Sequence, residues 1–329
     1  MNPPMILLYH RVAELESDPQ LLAVTPGNFA AHLEVLREFA TFAPLTDVAR
    51  PRLFTSSYKR VAITFDDGYA DNLHFASPIL HRQGVPATVF VATAGMTNTR
   101  EFFWDDLDRI FLSPNRLPQN LQLMIGEHTI NIDLGQDQIY TGGHTDWNVT
   151  HAKNPTPRHA AYKTLCTLLH NATVAQRQAA LGQIHHWSNL SPEPRATHRM
   201  MTPSQLRALT ATGLIDVGAH TVNHPLLRIE SRQDQQLEIT QSKAVLESIL
   251  NRPVTTFAYP FGGRRDYTID SIAAVRHAGL DLACSNFPGH LHPTADPMQL
   301  PRFLVRNWNA QEFRARLSTW IDRRMSLAA

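Results

Sequence analysis

The stretch VAITFDDGYADN, residues 61–72, ends an apolar run in two adjacent carboxylates and a glycine. Val61 to Phe65 carry β-branched and aromatic side chains with no charge and no breaker, which predicts a short buried strand. Asp66 and Asp67 sit at its exit, where Gly68 lets the chain turn. Asp and Gly are ordinary turn residues, so a surface turn explains the tripeptide in isolation. Two like charges side by side repel, however, and a purely structural turn gains nothing from the pair. The rest of the chain decides between the two readings.

Outward from this strand, β and α patterns alternate. Met5–Tyr9 reads as a strand, and Phe29, Leu33, Leu36 and Ala40 line one face of a helix starting near Asn28 as N-cap. Leu73, Ala76 and Leu80 mark a helix closed by Gly84, and VPATVFVA (85–92) is the next strand. Thr202-Pro203 opens a helix in cap-then-proline order, IDVGAH (215–220) is strand-like, and a long helix runs from about Gln233 to Leu250. VTTFAYPFGG (254–263), LDLACS (280–285) and LPRFLV (300–305) read as further strands, with helices around Ile272–Ala278 and Phe313–Trp320. Repeated β-then-α units imply a parallel sheet, open or closed into a barrel, with functional groups beyond the C-terminal strand ends. Residues 97–200 break the rhythm, with a polar part from Gly135 to Arg158 and two helices at Tyr162–Leu169 and Val174–Trp187. They are expected to form an insertion, a lid or side wall, within one domain spanning 1–325.

Composition narrows the function classes. A chain of 329 residues with 43% apolar content can bury a large core. A formal net charge of +1 without long charged runs argues against nucleic acid or an anionic membrane surface as main partner. No segment reaches the roughly 20 apolar residues that a membrane span needs. MNPPMILLYHRV, at the start, has no basic region and no small-residue cleavage site, which makes the cytoplasm the expected location. Cys166 and Cys284 form no CxxC pattern and are expected as reduced thiols.

A second strand exit carries chemistry. GAHTVNHP (218–225) holds His220 and His224, and His-x-x-x-His puts two imidazoles on one side of a helical turn or tight loop. A lone histidine is usually a satisfied polar residue. Two at this spacing after a strand, with an acidic pair at another strand exit, suggest a two-His, one-carboxylate site for Zn²⁺ or a related divalent ion.

TFDDGY (64–69), HTVNH (220–224) and FAYPFG (257–262), in that order, resemble the first three motifs of the NodB-homology polysaccharide deacetylases, carbohydrate esterase family four. The resemblance implies a distorted (β/α) barrel of about seven strands. It also implies Asp66 as catalytic base, with Asp67, His220 and His224 as ligands of one divalent ion, Zn²⁺ first, with Co²⁺, Ni²⁺ or Mn²⁺ as alternatives. One carboxylate is then neutralised by the ion, so its neighbour can stay ionised as a base. Tyr259, Pro260 and Phe261 of the third motif are implied at the substrate site.

Two departures mark a branch. The family's third motif usually carries an arginine where this chain has Ala258, and its late Leu-x-His strand is not evident near the C-terminus. ILLYHRV (6–12) supplies that pattern at the N-terminus, which resembles the circularly permuted branch containing the poly-N-acetylglucosamine deacetylases. The resemblance makes His10 the general acid, with His290 and His292 in reserve, and offers Arg302 of LPRF (300–303) as the replacement arginine. EFFWDDL (101–107) resembles a segment of the same branch, so Trp104 and Asp105 join the substrate-binding candidates.

The implied activity is metal-dependent removal of an N-acetyl group from an amino sugar of a surface glycan or its precursor. Hydrolysis of another C–N bond (in a formamido sugar, polyamine or ureide) uses the same motifs. A non-catalytic sugar-binding protein has no need of the base Asp66, and a two-metal phosphohydrolase usually needs more carboxylates.

Overall fold

The computed structural model describes residues 4–49, 59–98, 100–191 and 193–322, so the expected domain end at 325 lies outside the described residues. Among the described residues, seven strands form the main path of one curved, eight-stranded parallel sheet: β1 (Met5–Tyr9), β2 (Arg60–Phe65), β3 (Ala87–Val91), β4 (Ile215–Ala219), β5 (Thr256–Ala258), β6 (Leu282–Cys284) and β7 (Phe303–Leu304). Their spatial order is β6-β5-β4-β3-β2-β1-β7, and Thr41–Phe42 pairs beside the start of β2. β1 and β3 are buried along their whole length, as continuous apolar runs in a parallel sheet covered on both faces should be.

The chain from Leu300 to Leu304 joins the sheet's two edges. Leu300 bridges Cys284 of β6, and Phe303 and Leu304 then pair with Leu7 and Leu8 of β1. The result is the distorted barrel. LPRFLV is therefore a strand over only two residues, because the segment changes partner midway and Pro301 has no N–H for a ladder.

Period-two alternation sorts the strand side chains into two layers. Leu7, Ile63, Val89, Val217 and Phe257 pack against the outer helices. Those helices are α1 (Pro26–Arg37), α2 (Ser77–Gln83), α6 (Pro203–Thr210), α7 (Arg232–Leu250), α8 (Ile269–His277) and α9 (Ala310–Asp322), with α3 (Phe103–Phe111), α4 (Pro157–His170) and α5 (Val174–Ser188) elsewhere. Ile6, Ala62, Phe90, Ala258 and Cys284 form a separate inner cluster. α1 begins at Pro26, with Thr25 as N-cap accepting from the Asn28 amide. The expected cap at Asn28 is thus corrected: Thr25-Pro26 is the cap-then-proline signal, and Asn28 lies in the first turn.

The expected helix after Gly68 starts as a π-helical turn, Asn72–Ala76, before α2. Residues 103–184 contribute a second apolar cluster, with Leu107, Phe111, Tyr162, Leu165 and Ile184 at its centre. It includes an antiparallel hairpin, Asn120–Ile125 with His128–Asp133, that the sequence reading passed over. Leu121, Leu123 and Ile125 at alternate positions ahead of Gly126 were its signals in the sequence, and the structure buries Leu121 and Leu123 and gives Gly126 a left-handed backbone.

Gly218, on the inner side of β4, is required by packing. A Cβ there would stand 2.4 Å from Phe90 Cδ1 and 2.5 Å from Thr256 Oγ1. Gly218→Ala should therefore destabilise the protein by about 1–3 kcal/mol, the usual cost of overpacking. Urea denaturation checks this; an unchanged midpoint would show slack inside the barrel.

Candidate active site

Strand register assembles the site. Tyr9 pairs with Phe65, Phe65 with Val89, Val91 with Ala219, and Ala219 with Phe257. His10, Asp66 and His220 consequently leave the sheet at one end, where Ala258 is the last residue of β5. The Asp66 amide donates to Tyr9 O at 3.0 Å, and the His220 amide to Val91 O at 3.2 Å. Asp66 and Asp67 are 4% and 2% exposed, so the surface-turn reading of DDG does not hold.

Asp67, His220 and His224 converge, with ligand-capable atoms all within 4.8 Å of one another. Asp67 Oδ1 lies 3.6 Å from His220 Nε2 and 3.3 Å from His224 Nε2. His220 Nδ1 is 2.7 Å from Ala258 O, which assigns its proton to Nδ1 and leaves the Nε2 lone pair facing Asp67. The donor set, one carboxylate and two imidazoles in a buried pocket, fits a divalent ion of the zinc type. Burial alone would raise Asp67, but the two histidine rings beside it hold it well below the ordinary carboxylate range. Burial pushes His224 down to about 4, keeping it in the neutral form that ligation needs.

Asp66 belongs to a different interaction. Arg302 donates through Nη1 to Oδ1 at 2.7 Å and through Nη2 to Oδ2 at 2.6 Å, a buried bidentate pair. The same guanidinium reaches Thr64 Oγ1 and Ser285 O. Burial would raise Asp66, yet Arg302 first, and then His220 and His10, hold it below its ordinary value.

The cleft above these groups is lined by His10, Trp104, Phe261, Asn286, Gln20 and Arg306, among others. The Asn72 side chain donates to His10 O at 2.9 Å, so the π-helical turn braces the strand end that carries His10. Burial lowers the His10 pKa; Asp67 and Asp66 oppose the shift, and Arg306 and Arg302 reinforce it. Trp104 stacks on Phe102 at 4.5 Å, and Phe261 packs edge-on to His224 at 4.6 Å.

Other candidates lie elsewhere. Tyr259 is 1% exposed and stacks on Tyr267 in the core, and Pro260 is also buried; neither lines the cleft. Tyr259 continues the outward-facing alternation of β5, which turns its ring away from the cleft. Asp105 sits behind Trp104, accepting from Tyr69 Oη at 2.6 Å, and burial pushes its carboxyl up to about 8. His290 Nε2 is bound to Trp320 O at 2.7 Å, and His292 is exposed beside Thr294. Gln20, Asn286 and Arg306 were missed by the sequence reading, because they come from loops with no periodicity.

Backbone strain gathers at the same place. Asp67, Thr221, His224 and Phe261 all have positive φ, at 76°, 66°, 51° and 59°. Such conformations cost about 1–3 kcal/mol each and persist where surroundings over-determine them, often at functional sites.

A family model described as polysaccharide deacetylase matches residues 55–131 and 150–283. The chain belongs to the polysaccharide deacetylase family. It is 22% identical over 292 residues to YxkH of Bacillus subtilis (strain 168), a curated protein named for the same family, covering 86% of this chain. The chain spans 64% of the length of that relative. Among solved structures, it resembles the Streptococcus pyogenes deacetylase PplD in complex with acetate, at TM-score 0.58 and 17% identity, covering 97% of this chain and 98% of that one. IcaB from Ammonifex degensii gives TM-score 0.58 and 17% identity over 98% of this chain and 97% of its own. At this identity the two likenesses concern the fold.

Removing one partner of a buried ion pair strands the other charge. Arg302→Met should accordingly cost about 3–5 kcal/mol of stability in urea denaturation. The double variant Arg302→Met with Asp66→Asn should recover part of that loss. If the single variant is as stable as the parent, the pair does not hold the barrel end together.

Proposed function

We propose that this protein is a metal-dependent hydrolase that removes N-acetyl groups from an amino sugar of a surface glycan or its precursor. One observation carries the reading: an ionised, arginine-held Asp66 stands beside the Asp67–His220–His224 triad in an open cleft. A pure binding site has no use for that second carboxylate. The catalytic unit is one domain over 1–325, with 97–200 as its side wall, contributing Trp104 to the cleft.

Asp67, His220 and His224 would hold one divalent ion, zinc by the donor set. When bound, the ion supplies Lewis acidity to the acyl oxygen and acidifies water. Asp66 takes the proton from the attacking water, and Arg302 fixes the direction of its carboxylate. The backbone N–H of Phe261 serves as the chain's own donor to the developing oxyanion. His10 gives a proton to the nitrogen as the C–N bond breaks, since an amine leaves poorly as its anion. Trp104 and Phe261 present ring surface to the sugar. The products are acetate and a free amino sugar.

Acetate release from a panel of N-acetylated sugars, with and without chelator, tests the reading directly; no chelator-sensitive release from any member would overturn it. Formylated sugars, acetylated polyamines and cyclic ureides in the same panel separate the competing C–N substrates. Two neighbouring carboxylates should behave differently. Asp67→Ala should lose most of its metal by elemental analysis, whereas Asp66→Asn should keep it and lose turnover by at least about a hundredfold. Stoichiometric metal in Asp67→Ala would remove it from the ligand set, and near-normal turnover in Asp66→Asn would place the base elsewhere.

His10 is tested by leaving group. His10→Ala should impair amide hydrolysis far more than hydrolysis of an activated acetate ester, whose phenolate leaves unprotonated. Because burial lowers the His10 pKa, its acid form is lost as pH rises from the acid side. The alkaline limb of the amide pH–rate profile should reflect that loss and be absent from the ester profile. Equal losses on both substrates would give His10 a structural role.

A further inference from the structure

The loop carrying His220 and His224 is gripped from two sides by a buried pair of opposite charges. Glu238 of α7 accepts from the amides of Val222 and Asn223, both at 2.8 Å, and from Asn223 Nδ2 at 2.6 Å. Arg177 of α5 takes the carbonyls: Nη2 donates to Asn223 O at 2.5 Å and Nη1 to His224 O at 3.2 Å. Arg177 and Glu238 are 5% and 8% exposed. The loop between them includes the left-handed Thr221 and His224. A backbone in that conformation relaxes unless its polar groups are held.

Arg177 is itself fixed. Its guanidinium carbon lies 5.2 Å from the centre of the Phe103 ring. The start of α5 is tied to the barrel side, where the Val174 amide donates to Glu230 Oε1 at 2.8 Å. Arg177 belongs to the 97–200 stretch, outside the β/α rhythm of the barrel, yet it contacts the backbone of a candidate ligand.

We propose that Arg177 is a positioning residue of the metal centre. Its planar fork clamps two consecutive carbonyls and so sets the angle at which His224 presents Nε2 beside Asp67. A lysine ammonium in its place keeps the charge opposite Glu238 but lacks the planar two-point fork. The 97–200 stretch thereby sets ligand geometry as well as walling the cleft.

The proposal rests on the reading of Asp67, His220 and His224 as a metal site, and the test separates the two. Apo protein is titrated with Co²⁺, following the visible ligand-field bands, and with Zn²⁺ against a chromophoric chelator. The parent chain should bind one ion; if it does not, the metal reading fails before Arg177 is considered. Arg177→Met should then bind metal 10–100-fold more weakly, the usual scale for losing a group that orients a ligand. Its Co²⁺ band positions should move, a change that loss of general stability does not produce. Arg177→Lys should bind metal with intermediate affinity, and it decides the matter if the methionine variant does not fold. Arg109→Met controls for damage to the insertion, because Arg109 pairs with Asp106 and not with the ligand loop; it should match the parent. A parent-like affinity and Co²⁺ spectrum in a folded Arg177 variant would overturn the proposal.

Discussion

The contact between Arg302 and Asp66 joins residues 236 positions apart and fastens the barrel shut. Arg302 lies between Leu300, which bridges β6, and Phe303, which pairs with β1. Its guanidinium therefore sits at the seam. A buried arginine is tolerable only with its partners in place, and here Asp66, Thr64 and Ser285 supply them. Folding that satisfies the arginine also brings a carboxylate, ionised and aimed, to the strand end beside the triad.

The parallel sheet supplies the second half of the arrangement. Because β1 to β5 pair in parallel, His10, Asp66 and His220 all leave the sheet at the same end, with His220 two residues farther along the register than Asp66. What the sheet cannot supply is the sharp local turning that aims Asp67, His224 and Phe261, and each of these adopts a left-handed backbone. The strain is held by hydrogen bonds to the loops from outside: the Ala92 amide donates to Asp67 O, Glu238 and Arg177 grip the histidine loop, and the Asn286 amide donates to Gly262 O.

The 97–200 stretch is more than a cover. It places Trp104 on the cleft, packs Phe102 against His224, and sends Arg177 beneath the same histidine. Its own apolar cluster, separate from that of the barrel, gives these side chains a rigid base.

Much of this was legible in the amino-acid order. Apolar runs marked β1 to β3, the strand-like IDVGAH marked β4, cap-and-proline pairs marked helix starts such as Pro203, and the DDG and His-x-x-x-His spacings pointed to two strand exits with chemistry. These are local signals, set by backbone sterics and by the two- and 3.6-residue periods. Resemblance to a family added Arg302 as a candidate where Ala258 has no side chain to offer. Tertiary structure decided the rest. The outward turn of Tyr259, the burial of Asp105 behind Trp104, and the switch of 300–304 from one sheet edge to the other depend on register and closure. Arg177 was invisible for the same reason: one arginine on a helix says nothing about its acceptors until the fold brings two distant backbone carbonyls to its guanidinium.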